Sequence, residues 1–169
     1  SIALLELAKN AYDADASKVD IVMRHPDSME EGTIEIEDDG FGMTPDIVEN
    51  VWLEPGSNYK QEQFAERRLT PNYKRLPIGE KGIGRFGAHK LGNLIEMTTK
   101  SANANEVFVR IDWTQFAEHR YLEEVPIRIV EREQPQHFVG GKTGTAPGLI
   151  MPIRTAPKPP LCKGRWHGE

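Results

Sequence analysis

Three stretches of the 169-residue chain hold the residues whose types and spacing could do chemistry. Near the amino terminus Glu6, Asn10 and Asp13 recur at i, i+4 and i+7, which on a helix stacks three polar side chains along one stripe beside an apolar face. The same spacing suits an ordinary solvent-facing row. In Asp38-Asp39-Gly40-Phe41-Gly42-Met43, two glycines one residue apart let the backbone turn tightly and approach a ligand where a Cβ would clash. An ionised Asp38 at the end of a strand can only accept hydrogen bonds. Adenine offers an amino donor where guanine presents an acceptor, so a buried Asp38 would select adenine. The segment also suits a plain Asp- and Gly-rich turn. The third stretch, Gly79-Glu80-Lys81-Gly82-Ile83-Gly84-Arg85-Phe86-Gly87, opens a helix that continues to Leu91. Unpaired amides at a helix start make an anion site, reinforced by Lys81 and Arg85.

The elements that must position these residues follow from pattern. A first helix puts Leu5, Ala8 and Tyr12 on one face with Leu4 and Ala11 beside it, and Asp15 or Ser17 ends it. Strands are predicted at Val19 to Met23 and Thr33 to Asp38, joined as a hairpin through Pro26, Asp27, Ser28 and Gly32. Thr44 before Pro45 reads as an N-cap, with the helix reaching Val51 or Trp52. From Leu53 to Pro77 the chain is polar, with a possible short helix near Gln61 to Arg68, and this stretch reads as disordered or as a functional lid. Further strands are predicted at Leu94 to Thr99, Val107 to Trp113 and Val125 to Val130. The order implies an α+β two-layer sandwich: one mixed, mainly antiparallel sheet with helices on one face.

Composition narrows the class. The chain is 38% hydrophobic with net charge −5, and its apolar runs are far short of the roughly 20 residues a bilayer span needs, so one soluble domain with no membrane segment is expected. A lone cysteine, Cys162, excludes an intrachain disulfide or a Cys-based zinc cluster and points to a reducing, cytoplasmic setting. The opening at Ser1 without a Met or a signal peptide reads as a fragment. Residues 1–59 carry 3 basic and 14 acidic side chains, whereas residues 60–90 carry 8 and 3. That asymmetry suits a metal ion and phosphates meeting between the halves, or simply solvated faces of opposite sign. No basic stripe with interleaved aromatics indicates nucleic acid. After Gly144-Thr145, five prolines fall between Pro147 and Pro160, so at most a few residues there are expected to pair, and 146–169 reads as a linker or tail.

Gly82-Ile83-Gly84-Arg85-Phe86-Gly87 matches the dinucleotide fingerprint G-x-G-x-x-G, but that motif must follow a buried strand, and Leu76-Pro77-Ile78 precedes it here. No Gly-Lys-Ser/Thr order makes it a Walker A loop either. Taken in series, Glu6-x-x-x-Asn10-Ala11-x-Asp13-Ala14, Asp38-x-Gly40-x-Gly42-Met43, Gly79-x-x-Gly82-x-Gly84 and Gly144-Thr145 resemble the four nucleotide-binding boxes of the GHKL superfamily, over residues 1–145. Its members are the DNA gyrase B proteins, the heat-shock chaperone ATPases, MutL proteins and histidine kinases. The stretch Gly79 to Gly92 most resembles the bacterial chaperone and MutL branches.

The resemblance implies the Bergerat ATP-binding fold, with ATP and Mg²⁺ as cofactors. By motif position Glu6 is the implied general base, and Asn10 the implied Mg²⁺ ligand through its carbonyl. Asp38 is the implied adenine partner, supported by Thr145 through a hydroxyl or a bridging water. Gly40 and Gly42 would give the base room and Met43 would pack near it. Lys81, Gly82, Ile83, Gly84 and Arg85 would hold the phosphates under a lid made by residues 53–80, and Asp13 would be structural or act through another residue rather than be a ligand. A carboxylate at Glu6 implies hydrolysis, since histidine kinases usually carry Asn there. Dimerisation or further domains of a larger protein are the implied partners. The strand expected after Thr145 is interrupted by Pro147 and Pro152. His25, His89, His119, His137 and His167 lack metal-ligand spacing, while Trp52, Trp113 and Phe108 read as core.

Overall fold

The computed structural model describes residues 2–28, 31–53, 69–78, 92–114 and 127–150. The expected helix near Gln61, the Gly79–Gly87 loop with its helix to Leu91, and the segment 151–169 lie outside the described residues. Helix α1 spans Ile2–Asp13. Leu4 and Leu7 rest on the core, and Ala11 is buried. Leu5 and Tyr12, expected on the inner face, are exposed. Leu4, Leu5, Leu7 and Ala8 are apolar around most of the helix, so periodicity could not choose the face, and contact with the sheet did.

Strands β1 (Val19–Arg24) and β2 (Thr33–Asp38) form the expected hairpin, in a register running from Val19 opposite Asp38 to Arg24 opposite Thr33. Helix α2, Pro45–Ile47, starts where Thr44 Oγ1 accepts from Ile47 N at 3.3 Å, and continues as a π-helical turn over Val48–Trp52. Strands β3 (Leu94–Lys100), β4 (Glu106–Asp112), β5 (Ile127–Arg132) and β6 (Gly144–Ile150) complete a sheet of order β1-β2-β6-β3-β4-β5. Every described pairing is antiparallel. Register puts Ile34 and Ile36 on one face with Ile95 and Met97, and with Val107, Val109 and Ile111. These residues and Val48 form the core, covered by Leu4, Leu7, Met43, Trp52 and Leu53 from the helical layer. Each such side chain contributes roughly 1.5–3 kcal/mol by leaving water. Trp113 also packs on this core, but Phe108 belongs to the other face, where Arg132 lies over its ring at 5.1 Å.

The interruption expected at Pro147 is corrected. β6 is a central strand that runs unbroken along β3, from Gly144 opposite Lys100 to Ile150 opposite Leu94. Its pairing with β2 lapses between Gly148, opposite Glu35, and Thr145, opposite Asp38. Pro147 falls in that lapse. A proline has no N–H to donate, and the strand tolerates it because the missing donor faces the side where the ladder is already open.

Glu106, at the start of β4, is fully buried. It accepts hydrogen bonds from the consecutive amides of Gln136, His137 and Phe138 at 2.9–3.0 Å and from Arg132 Nη1 at 3.1 Å. Burial alone would raise its carboxyl, but these four donors hold it down at about 2. The loop after β5 is thereby pinned, and Phe138 is buried beside Gly144. Because the folded carboxyl is depressed, its stabilisation is present above the ordinary value of 4.5 and is withdrawn as pH falls toward 2. Glu106→Gln should therefore lower stability at pH 7 by about 2 kcal/mol. The gap should close on acidification to about pH 2, as read by urea denaturation across that range.

Candidate functional site

β2 ends at Asp38, where the chain crosses the carboxyl-terminal end of α1. Asp38 is 8% exposed. Its Oδ1 accepts from Gly40 N at 3.0 Å and from Thr145 N at 3.3 Å. Among the described residues no donor falls on Oδ2. Burial chiefly, with the Asp39 and Glu37 carboxylates and against the two amides, raises the carboxyl to about 6. A buried acceptor held on one oxygen gains from any N–H donor brought to the other.

The loop after Asp38 is clamped from both sides. Phe41 N donates to Ala14 O at 3.0 Å, tying the loop to the end of α1. Gly42 has φ +60°, and a Cβ there would collide with the Lys100 and Gly144 carbonyls, so only glycine fits. Met43 N donates to Thr99 Oγ1 at 2.9 Å, which also bonds Gly144 O at 3.0 Å and Thr145 Oγ1 at 3.1 Å. Thr145 thus reaches Asp38 through its backbone amide, whereas its hydroxyl meets Thr99. Thr143 Oγ1 donates to Gly40 O at 2.8 Å. Asp38, Gly40, Gly42, Met43 and Thr145 are in this way brought into one cluster.

On α1, Glu6 and Asn10 are half-buried and lie one turn apart. Glu6 Oε1 is paired with Lys9 Nζ at 2.8 Å. Asp13 Oδ1 accepts from Ile78 N at 2.9 Å. Asp15, at φ 59°, grips the returning chain through Asn72 N at 2.6 Å and Tyr73 N at 3.1 Å. Burial would raise the Asp15 carboxyl, but Thr70, these amides and Arg75 hold it below the ordinary range. Arg75 donates to Ala16 O at 2.7 Å and lies over the rings of Tyr12 and Tyr73. Ile78, the last described residue before the glycine-rich segment, is thus held at the Asp13 end of the α1 stripe. Lys81, Gly82, Ile83, Gly84 and Arg85 lie outside the described residues.

Sequence reasoning missed Lys9, Asp15, Asp39 and Thr99. Asp39 caps the turn after α1, accepting from Ser17 N at 2.7 Å, Lys18 N at 2.8 Å and Ser17 Oγ. Its signal was adjacency to Asp38, two acidic residues at one strand end with different partners. An open cleft of about 440 Å³ is lined by Asp38 itself together with Lys18, Asp20, Glu37, Asp39, Phe138, Lys142 and Thr143 among others. It touches neither Glu6 nor Asn10, so it is not the space between α1 and Asp38.

A family model described as histidine kinase-, DNA gyrase B-, and HSP90-like ATPase matches residues 1–145. The chain belongs to this family. Comparison with curated proteins returned no match. Membership makes ATP the ligand class of this ATPase-family domain and accords with its antiparallel sheet and single helical layer. Among the described residues, no helix is long and apolar enough to cross a membrane.

The raised Asp38 carboxyl has a stability consequence. Its stabilising protonation is complete below 3.8 and is lost as pH rises through about 6. Asp38→Asn should therefore stabilise the nucleotide-free protein at pH 8 by up to about 3 kcal/mol and leave it nearly unchanged at pH 4. Denaturant titrations of both proteins at the two pH values measure this.

Proposed function

We propose that this domain binds Mg²⁺-ATP and hydrolyses the γ-phosphate by attack of water, coupling closure of residues 53–80 to a conformational change in a larger cytoplasmic protein. The observation that carries the reading is the buried Asp38 carboxylate with both protein donors on one oxygen. The adenine amino group would donate to the other, and guanine, with an acceptor there, would not. Gly40 and Gly42 let the loop lie tight against Ala14, Lys100 and Gly144, which holds Asp38 in place for the base, and Met43 would pack beside it. Asn10 would offer its side-chain carbonyl to Mg²⁺. Among the described residues no three His, Cys, Asp or Glu side chains form a cage, and one carboxamide fits a cation carried mainly by phosphates and waters. When bound, the ion would neutralise phosphate charge. Lys81 and Arg85, with the amides of Gly82, Ile83 and Gly84, would hold the phosphates.

Glu6, one turn from Asn10, would take the proton of the attacking water. A carboxylate at this position favours water over a phosphoacceptor histidine, which supports the chaperone and MutL side of the family over the kinase side. The Lys9–Glu6 pair favours a second reading, a module that closes on ATP without useful turnover, because the carboxylate is already engaged.

Turnover separates the two. Under the hydrolytic reading Glu6→Ala should leave ATP affinity within about threefold while phosphate release falls by about 10²-fold or more. Tight ATP binding with no phosphate release by the unaltered chain would establish the module instead. Discrimination of ATP over GTP should be on the order of 10²-fold or greater and should collapse in Asp38→Asn, as measured by titration with labelled nucleotides. Equal affinity of the unaltered chain for both nucleotides would remove Asp38 as the adenine reader.

A further inference from the structure

The outer edge of the sheet carries an unusual surface. Among the described residues β1 is paired on one side only, with β2. Val19, Ile21 and Met23 stand opposite Asp38, Ile36 and Ile34, on the core face of the sheet, yet they are 36%, 42% and 47% exposed. Val22, on the other face, is 40% exposed. Edge strands are ordinarily guarded by an inward-pointing charge, a proline or a bulge. β1 has an unbroken register, no proline, and its charges Asp20 and Arg24 on the outer face. Asp39 N donates to Lys18 O at 3.4 Å, so even-numbered residues turn their peptide groups toward β2, and Val19, Ile21 and Met23 turn theirs to the open edge.

We propose that β1 pairs antiparallel with β1 of a second copy of this chain, about a two-fold axis at Val22, joining the two sheets edge to edge. Charge selects this partner and this register. Centred on Val22, Asp20 of each copy faces Arg24 of the other, Val22 meets its own counterpart, and on the core face Ile21 faces Met23. Centring on Ile21 would set Lys18 against Arg24, and centring on Asp20 would set the two Asp20 carboxylates together. On the opposite edge, β5 centred on Val130 would bring Arg128 against Arg132. Within each copy Asp20 is paired with Lys18 at 2.6 Å and Arg24 with Glu35 at 3.1 Å. The seam therefore joins these pairs into rows of alternating sign, Lys18, Asp20, Arg24, Glu35. An isologous contact of this kind closes at two copies. It does not depend on the nucleotide reading.

Sedimentation equilibrium of the full 169-residue chain tests this. The expected result is a dimer with a dissociation constant of roughly micromolar order, weakened at high salt because the seam charges are exposed. Asp20→Lys and Arg24→Glu should each raise that constant about tenfold or more, and the double variant should return to within about threefold of the unaltered chain. The double variant carries both intrachain changes, so its recovery separates a lost seam from a damaged fold. A monomer at all concentrations, a dimer indifferent to both single reversals, or a double variant as weak as the singles would each overturn the proposal.

Discussion

The structure turns on one buried carboxylate that the protein satisfies on only one side. Asp38 sits under the crossing of β2, β6 and the end of α1, and Gly40 N and Thr145 N both reach Oδ1. Removing a carboxylate from water is unfavourable unless donors replace the lost hydration. Here the replacement is incomplete, and the carboxyl rises to about 6. A site in this condition is destabilised in isolation and relieved by a ligand that brings an N–H. The surrounding backbone keeps the relief from coming from within. Gly42, held between Lys100 and Gly144, fixes the path of the loop, and Thr99 ties that loop to β6 through Met43 N and Gly144 O.

Other carboxylates do the opposite task, gripping consecutive backbone amides until they are fully satisfied. Asp39 holds Ser17 and Lys18, Asp15 holds Asn72 and Tyr73, and Glu106 holds the three amides from Gln136 to Phe138. Asp39 and Glu106 pin segments beside the Asp38 cluster, and Asp15 pins the returning chain to the end of α1. The acidic excess of residues 1–59 acquires a partly different meaning from this. Asp13, Asp15 and Asp39 hold loops, and Glu6, Asp20 and Glu35 are engaged with Lys9, Lys18 and Arg24. Much of that charge is architectural.

This division also explains what could be read from the chain alone. Thr33–Asp38 was legible residue for residue, because alternating Ile34 and Ile36 face a one-sided core and Asp38 precedes two glycines. The Thr44-Pro45 cap was legible because both its signals are local. The inner face of α1 was not, since its apolar residues nearly encircle it. β6 was misread because Pro147 speaks against a central strand, and only the lapse opposite β2, a property of the assembled sheet, makes room for it. The amide-gripping roles of Asp15 and Glu106 span 57 and 30 or more residues of sequence, and nothing local announces a partner so distant.

On the proposed reading, recognition and turnover would fall in different physical settings within this fold. The Asp38 end is buried and bounded by β2, β6 and the end of α1, so small changes there have little room to relax in a close-packed interior. The Glu6 end depends on a single helix, is half-exposed, and carries an ion pair between neighbouring turns that is readily rearranged. If the proposed roles hold, a domain arranged this way would keep its choice of nucleotide while the rate of chemistry is tuned by what lies near Glu6. The rigid end would supply specificity through donors and acceptors already in place, and the softer end would be the part open to adjustment.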